Sequence, residues 1–128
     1  MDRSIGFEDF EPHHRHKKMP SEHEIQVAHF LIKTFGGRII HRNEIRDVPT
    51  SDYWWFRNGA REDWELKKFT GKPKNVDKVL RKAAVQSGNI IIDISENSHC
   101  HKEIIATIKW VQVREGIPVI MIIERNVF

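Results

Sequence analysis

Asp52, Glu65 and Lys67 are the residues whose types and spacing promise chemistry. They flank Asn58-Gly59, a pair that tolerates the positive φ of a type I′ turn and is the strongest short-range hairpin signal. A two-residue turn there makes paired residue numbers sum to 117, which sets Asp52 across from Glu65 and Tyr53 across from Trp64. Side chains alternate along a strand, so Lys67 shares the face of Glu65 and Asp52. Directly opposed Cβ atoms lie about 4.5–5.5 Å apart. Two carboxylates that close repel unless a cation sits between them, either a divalent ion or the Lys67 ammonium. The competing reading is a solvated polar face closed by a strand-end salt bridge. A three-residue loop would shift the register by one and undo the pairing.

Other residues near this constellation suit nucleic acid. Lys67 opens a stretch that also holds Lys68, Lys72, Lys74, Lys78, Arg81 and Lys82, with Asp77 its one acid. Phosphate contacts dominate nucleic-acid affinity, so these cations are the candidate backbone contacts, against the plainer reading of a solvated lysine loop. Trp54, Trp55, Phe56 and Trp64 concentrate aromatics in the hairpin. Most of these belong to a core, but Trp54 and Phe56 alternate onto the face of Asp52, where an exposed ring stacks on an unpaired base. His99-Cys100-His101 offers a general acid or base more readily than a zinc site, because no second Cys/His cluster accompanies it. Asp93 is either a further acid or a strand cap.

The elements that must position these residues are legible from periodicity. Pro20 precedes Ser21-Glu22-His23-Glu24, a capping box, and Ile25, Ala28, Leu31, Ile32 and Phe35 follow at helical spacing until Gly36-Gly37. Residues 38–41 are short and β-like, and residues 52–57 and 60–67 form the hairpin. Val76, Val79, Leu80, Ala83 and Ala84 mark a second helix ending near Gly88. Asn89 to Ser95 is a doubly buried strand. Ile104, Ile105, Ile108 and Val111 mark a third helix stopped at Gly116, and Pro118 to Glu124 is a last strand. The expected fold is α/β, a single domain with a mixed sheet and flanking helices in the order α-β-β-β-α-β-α-β. Residues 1–20, basic and histidine-rich from Pro12 to Pro20, read as a flexible leader ahead of a domain at 21–128.

Composition narrows the classes. The chain has 128 residues, 39% hydrophobic and 30% charged, enough for one modest core and too apolar for disorder. Its net charge of +3 is mild, but residues 65–128 carry eleven Lys/Arg against seven acids, so the excess lies in the second half. One cysteine, Cys100, forms no internal disulfide and suits a reducing compartment. No apolar run approaches the ~20 residues that span a bilayer, and residues 1–12 lack a signal-peptide core.

Asp52, twelve intervening residues and Glu65-Leu66-Lys67, after a helix carrying Glu24, resemble the PD-(D/E)XK nuclease pattern, with Ser51-Asp52 in place of Pro-Asp. In element order the resemblance covers residues 21–124. It implies that Asp52 and Glu65 bind a divalent metal such as Mg2+, that Lys67 positions the attacking water, and that Glu24 and Gln86 give outer support. The run from Glu24 through Gly36-Gly37, Asp52-Tyr53, Glu65-Leu66-Lys67, Ala83-Ala84-Val85-Gln86 and Asn89-Ile90-Ile91-Ile92-Asp93 is similar to C-terminal tRNase domains of contact-dependent growth inhibition and other polymorphic toxins. That resemblance implies tRNA cleavage in the cytoplasm of a target cell and a cognate immunity protein. Some such domains belong to the barnase/EndoU/colicin/RelE-like group, which cuts RNA without a metal cofactor. Glu65 or a histidine then moves the proton, Lys67 holds the phosphate and Tyr53 hydrogen-bonds or stacks. The expected function is an endoribonuclease. The alternatives are a Mg2+-dependent DNA endonuclease and a non-catalytic nucleic-acid-binding module.

Overall fold

The computed structural model describes residues 4–7, 20–42 and 50–125. The chain is mixed α/β: β1 (Ser4–Phe7), α1 (Glu22–Phe35), β2 (Arg38–His41), β3 (Tyr53–Arg57), β4 (Ala60–Lys68), α2 (Val76–Gln86), β5 (Asn89–Asp93), α3 (His101–Glu115) and β6 (Val119–Ile123). From α1 onward this is the order expected from periodicity. β1 is an addition, a strand lying within the expected leader and running parallel to β2. The histidines and lysines at 13–18 lie outside the described residues. Two compact units emerge, Met1–Trp64 and Glu65–Phe128, and the boundary between them falls within β4.

In the first unit α1 begins as its sequence requires. Ser21 accepts from the Glu24 backbone N–H, and the Glu24 carboxylate accepts from the Ser21 N–H. Gly36 ends the helix at φ 79°. β2, β3 and the opening of β4 are antiparallel neighbours, with Tyr53 opposite Trp64 and Arg57 opposite Ala60, the register expected from a two-residue turn. Asn58 and Gly59 take φ 52° and 77°, both positive as a type I′ turn demands. Alternation then sorts the aromatic residues. Ile39, His41, Tyr53, Trp55 and Trp64 are buried with Val27, Ala28, Leu31 and Ile32 of α1, while Trp54 is half-buried and Phe56 exposed. Phe35, expected in the core, is 51% exposed and meets Trp55 edge-on with ring centroids 6.0 Å apart. The Trp55 Nε1–H donates to the Gly36 carbonyl at 3.0 Å, so the helix end is pinned to the indole and the Phe35 ring is left at the rim.

In the second unit β4, β5 and β6 run parallel, with Glu65 opposite Ile90 and Ile90 opposite Ile120. Ile90, Ile92 and Ile94 pack on Leu80 and Ala83 of α2 and on Ile104, Ile108 and Val111 of α3, together with Phe69, Val76 and Ile117. Parallel strands joined through helices are apolar along most of their length, which is the pattern of Asn89-Ile90-Ile91-Ile92-Asp93. The polar ends of these strands are therefore where side chains capable of chemistry can collect.

Two outcomes follow from the first unit. A Cβ at Gly37, where φ is +87°, would stand 2.6 Å from the Phe56 carbonyl oxygen and 2.8 Å from Trp55 Nε1. Gly37→Ala should therefore destabilise the protein by about 2 kcal/mol or more, read as a lowered urea midpoint. His41 is fully buried against Tyr53, and burial, with a smaller contribution from the His29 charge, lowers its pKa from 6.5 to about 4. The unfolded chain takes this proton near 6.5, so the contribution of neutral His41 is present above that pH and is lost as pH falls towards 4. The loss reaches up to about 3 kcal/mol. Stability curves between pH 7.5 and 4 should show this limb, and His41→Leu should flatten it.

Candidate functional site

Glu65 is buried at 5% exposure, and Lys67 lies two residues further along β4 on the same face. The Lys67 Nζ stands 3.4 Å from Glu65 Oε2, with the lysine side chain 34% exposed. A carboxylate at the margin of a core is thus countered by a cation that still reaches solvent, the balance a buried charge requires. This is the part of the expected constellation that one unit holds by itself. Asp52 belongs to the first unit, directly before β3, where its carbonyl accepts from the Arg42 N–H at 3.0 Å. Glu24 also belongs there. Its carboxylate serves the α1 cap and its carbonyl accepts from the Tyr53 hydroxyl. Gln86 is the last residue of α2.

The carboxyl ends of β4, β5 and β6 hold a polar cluster organised by Asn97. This side chain is 5% exposed, and its Nδ2 donates to the Phe69 carbonyl at 3.1 Å and the Gly71 carbonyl at 2.9 Å. Two carbonyls on the nitrogen fix the amide orientation and turn Oδ1 towards His99. There Oδ1 accepts from the His99 backbone N–H at 2.9 Å and lies 3.0 Å from His99 Nδ1. Because Oδ1 only accepts, this contact favours the tautomer with its proton on Nδ1, which leaves the lone pair on Nε2. His101 is the opposite case. Its Nε2 is 2.7 Å from the Asn97 carbonyl and its Nδ1 2.8 Å from Glu124 Oε2, two acceptors that call for a proton on each nitrogen. The Asn97 carbonyl first, and Glu124 second, raise its pKa above 6.5. The two rings thus differ in their partners: His99 has one acceptor on Nδ1, His101 an acceptor on each nitrogen.

Asp93 is 3% exposed and closes the end of β5. It binds the Arg125 guanidinium at 2.8 Å, and its Oδ1 accepts from the Ser95 hydroxyl and the Ser95 N–H. It is thus a buried tie between β5 and the chain after β6. Among the assigned cations, Lys68 is ion-paired with Glu96, and Arg81 shares Asp77 with Arg114. Lys72, Lys74, Lys78 and Lys82 are exposed. The Trp54 ring has the Arg42 and Arg61 guanidinium carbons 4.4 and 4.9 Å from its centroid, so cations already engage it.

Residue types alone give no sign of Asn97, Glu124 or Arg125. Their roles come from contacts 23 to 32 residues away along the chain. The Asn97-x-His99 spacing is the one local signal, since an Asx side chain commonly accepts from the N–H two residues on. Cys100 is exposed and stands at the α3 N-cap position without a side-chain bond. Among the described residues no group of three or more His, Cys, Asp and Glu side chains is arranged to hold a metal ion. No helix among them is long and apolar enough to cross a membrane. The chain matches no known family model, no curated protein and no solved structure.

His101 supplies a pH signature for this edge. Its raised pKa means that its clamp is complete below 6.5 and is lost as pH rises through the folded-state value. In a proton NMR titration the His101 ring signals should move at a midpoint above 6.5, and Glu124→Gln should bring that midpoint down.

Proposed function

We propose that the chain is a nuclease acting on RNA, with its chemistry at the carboxyl edge of β4, β5 and β6. One observation carries the reading. Asn97 bridges the exit of β4 and His99, so the imidazole with an open Nε2 is fastened to the strand end that presents Lys67. Open α/β sheets receive ligands outside the carboxyl ends of their strands. A lysine beside a base suits a phosphodiester, whose negative oxygens need a cation while a neighbouring hydroxyl loses its proton.

In this mechanism the His99 Nε2 takes the proton of a ribose 2′-hydroxyl. The 2′-oxygen attacks phosphorus, the bond to the 5′-oxygen breaks, and that oxygen takes a proton from solvent. Lys67 offsets the charge that grows on the phosphate oxygens. Glu65 acts through Lys67 as a positioning residue, holding the ammonium in place. The products are a 2′,3′-cyclic phosphate and a 5′-hydroxyl. Lys72, Lys74, Lys78 and Lys82 would attract the backbone. Asp52 and Glu65, the pair expected to hold Mg2+, belong to no three-donor group among the described residues, and the proposed chemistry runs on the chain's own side chains. A tRNA substrate, a target-cell cytoplasm and an immunity partner are the further proposals that the toxin resemblance carries.

Purified protein incubated with total tRNA and with plasmid, each in Mg2+ and in EDTA, tests the reading. The expected result is tRNA cleavage in EDTA leaving cyclic phosphate ends, with His99→Ala slower by about 10²–10⁴-fold. Lys67→Met should also lose activity, and Glu65→Gln should weaken it less than His99→Ala. Plasmid nicking that needs Mg2+ and ignores His99 would overturn the assignment. Cleavage of neither substrate by folded protein would leave a binding module.

A further inference from the structure

β6 reads Val-Ile-Met-Ile-Ile and stands at the end of its sheet. β5 pairs with it on one side, and among the described residues no strand pairs with it on the other. The ladder fixes which backbone groups face which way. The Val119 N–H donates to the Gly88 carbonyl at 3.2 Å and the Ile123 carbonyl accepts from the Ile94 N–H at 2.9 Å, so the odd-numbered residues turn towards β5. Alternation then directs the N–H and C=O of Ile120 and Ile122 outward. Just ahead of the strand the same edge is closed. Pro118 has no N–H to leave open, and its carbonyl accepts from the Gln112 amide at 3.5 Å.

An open edge is a template for another strand, and folds commonly blunt it with a lysine, an internal proline or a bulge. β6 holds no charge and no proline, and its five residues run in unbroken register with β5, so it has no bulge. Its side chains are only partly covered. Val119 is 41% exposed, and Ile120, Met121 and Ile122 are half-buried. Ile120 and Ile122 pack against the core that α2 and α3 cover, whereas Val119 and Met121 belong to the other face of the strand.

We propose that the protein forms a two-fold dimer in which β6 pairs antiparallel with β6 of a second copy, the axis passing through Met121. Ile120 of each copy then faces Ile122 of the other, and the two pairs join every outward N–H to an outward C=O in four hydrogen bonds. Val119 faces Ile123 and Met121 faces Met121, so an apolar residue meets an apolar residue at all five positions and no like charges are opposed. Parity excludes a shift by one, which sets Ile120 against Met121, a residue whose backbone groups already serve β5. A foreign strand has to bring an open apolar edge of its own. The second copy has one by identity, and two-fold pairing uses both edges and closes. Antiparallel pairing also sends the carboxyl ends of the two β6 strands in opposite directions, so Asn97 and His99 of each copy stay away from the contact. The dimer does not depend on the nuclease reading.

Sedimentation equilibrium of the full chain, from micromolar to millimolar concentration, should show the mass rising from one chain to two and no further. Ile122→Pro removes an outward N–H and no bond to β5, so two of the four bonds between copies go. Its dissociation constant should rise by about 5- to 150-fold, with a thermal melt to check that the variant is folded. Cross-linking reads the register and needs no proline. In a Cys100→Ser background, Met121→Cys sets two thiols across the axis with Cα atoms about 4.5 Å apart, within the span of a disulfide. Val119→Cys, on the same face, holds its two Cα atoms about 14 Å apart along the paired strands. Mild oxidation with diamide should therefore link the Met121→Cys chains in pairs and leave Val119→Cys unlinked. A chain that stays monomeric throughout, a folded Ile122→Pro that dimerises as before, or residue 119 linking as readily as residue 121 overturns the proposal.

Discussion

The two residues Asn58 and Gly59 constrain more of this molecule than any contact in its core. Their positive φ values close β3 onto β4 with no residue to spare, so every side chain of the hairpin has its face decided by parity. Tyr53, Trp55 and Trp64 go inward because of it, and Trp54, Phe56 and Arg61 go outward. A slip of one residue would turn Trp55 to water, and burying an indole is worth roughly 4–6 kcal/mol at 150–250 Å2 of apolar surface. The inward set then anchors α1, since Trp55 reaches the Gly36 carbonyl and Tyr53 the Glu24 carbonyl. The outward set forms the aromatic and cationic surface beside the turn.

In the second unit a different constraint governs, the need of buried polar groups for partners. Asn97 is nearly inaccessible, and leaving its amide unmatched would cost about 1–3 kcal/mol. It meets the Phe69 and Gly71 carbonyls on one side and His99 on the other, while its own carbonyl meets His101. A single residue thereby gives different hydrogen-bond partners to two histidines that are two positions apart. The difference is not a property of imidazole. An amide oxygen draws one proton to His99 Nδ1, whereas a carbonyl and a carboxylate draw one to each nitrogen of His101.

Local rules and non-local ones divide what the residues alone reveal. The capping box at Ser21, the register about Asn58-Gly59 and the triple isoleucine of β5 depend on neighbours within a few positions, and each stands in the structure as read. Phe35 failed the same test because helical spacing cannot tell that Trp55 would take the adjacent space edge-on. β1 was hidden in a segment whose composition resembles a tail, and its pairing depends on β2 more than thirty residues later. Within the candidate site Glu65 and Lys67 were legible, because two residues on one strand must share a face. The Asn97 bridge was not, because the Phe69 and Gly71 carbonyls that it holds precede α2 in the chain.

The positive charge takes two physical forms here, and they are suited to different tasks. Lys72, Lys74, Lys78 and Lys82 are exposed point charges, able to attract any polyanion and weakened by any salt. Arg57 has given up rotamer freedom to an indole and a carboxylate before any ligand arrives. Lysines of that kind discriminate poorly, since a phosphate is the same beside every base. A clamped guanidinium has little rotamer freedom left to lose, so its donors keep one plane and one direction. The mild net charge of +3 is therefore a poor guide to these cations, which differ in whether packing and pairing fix them.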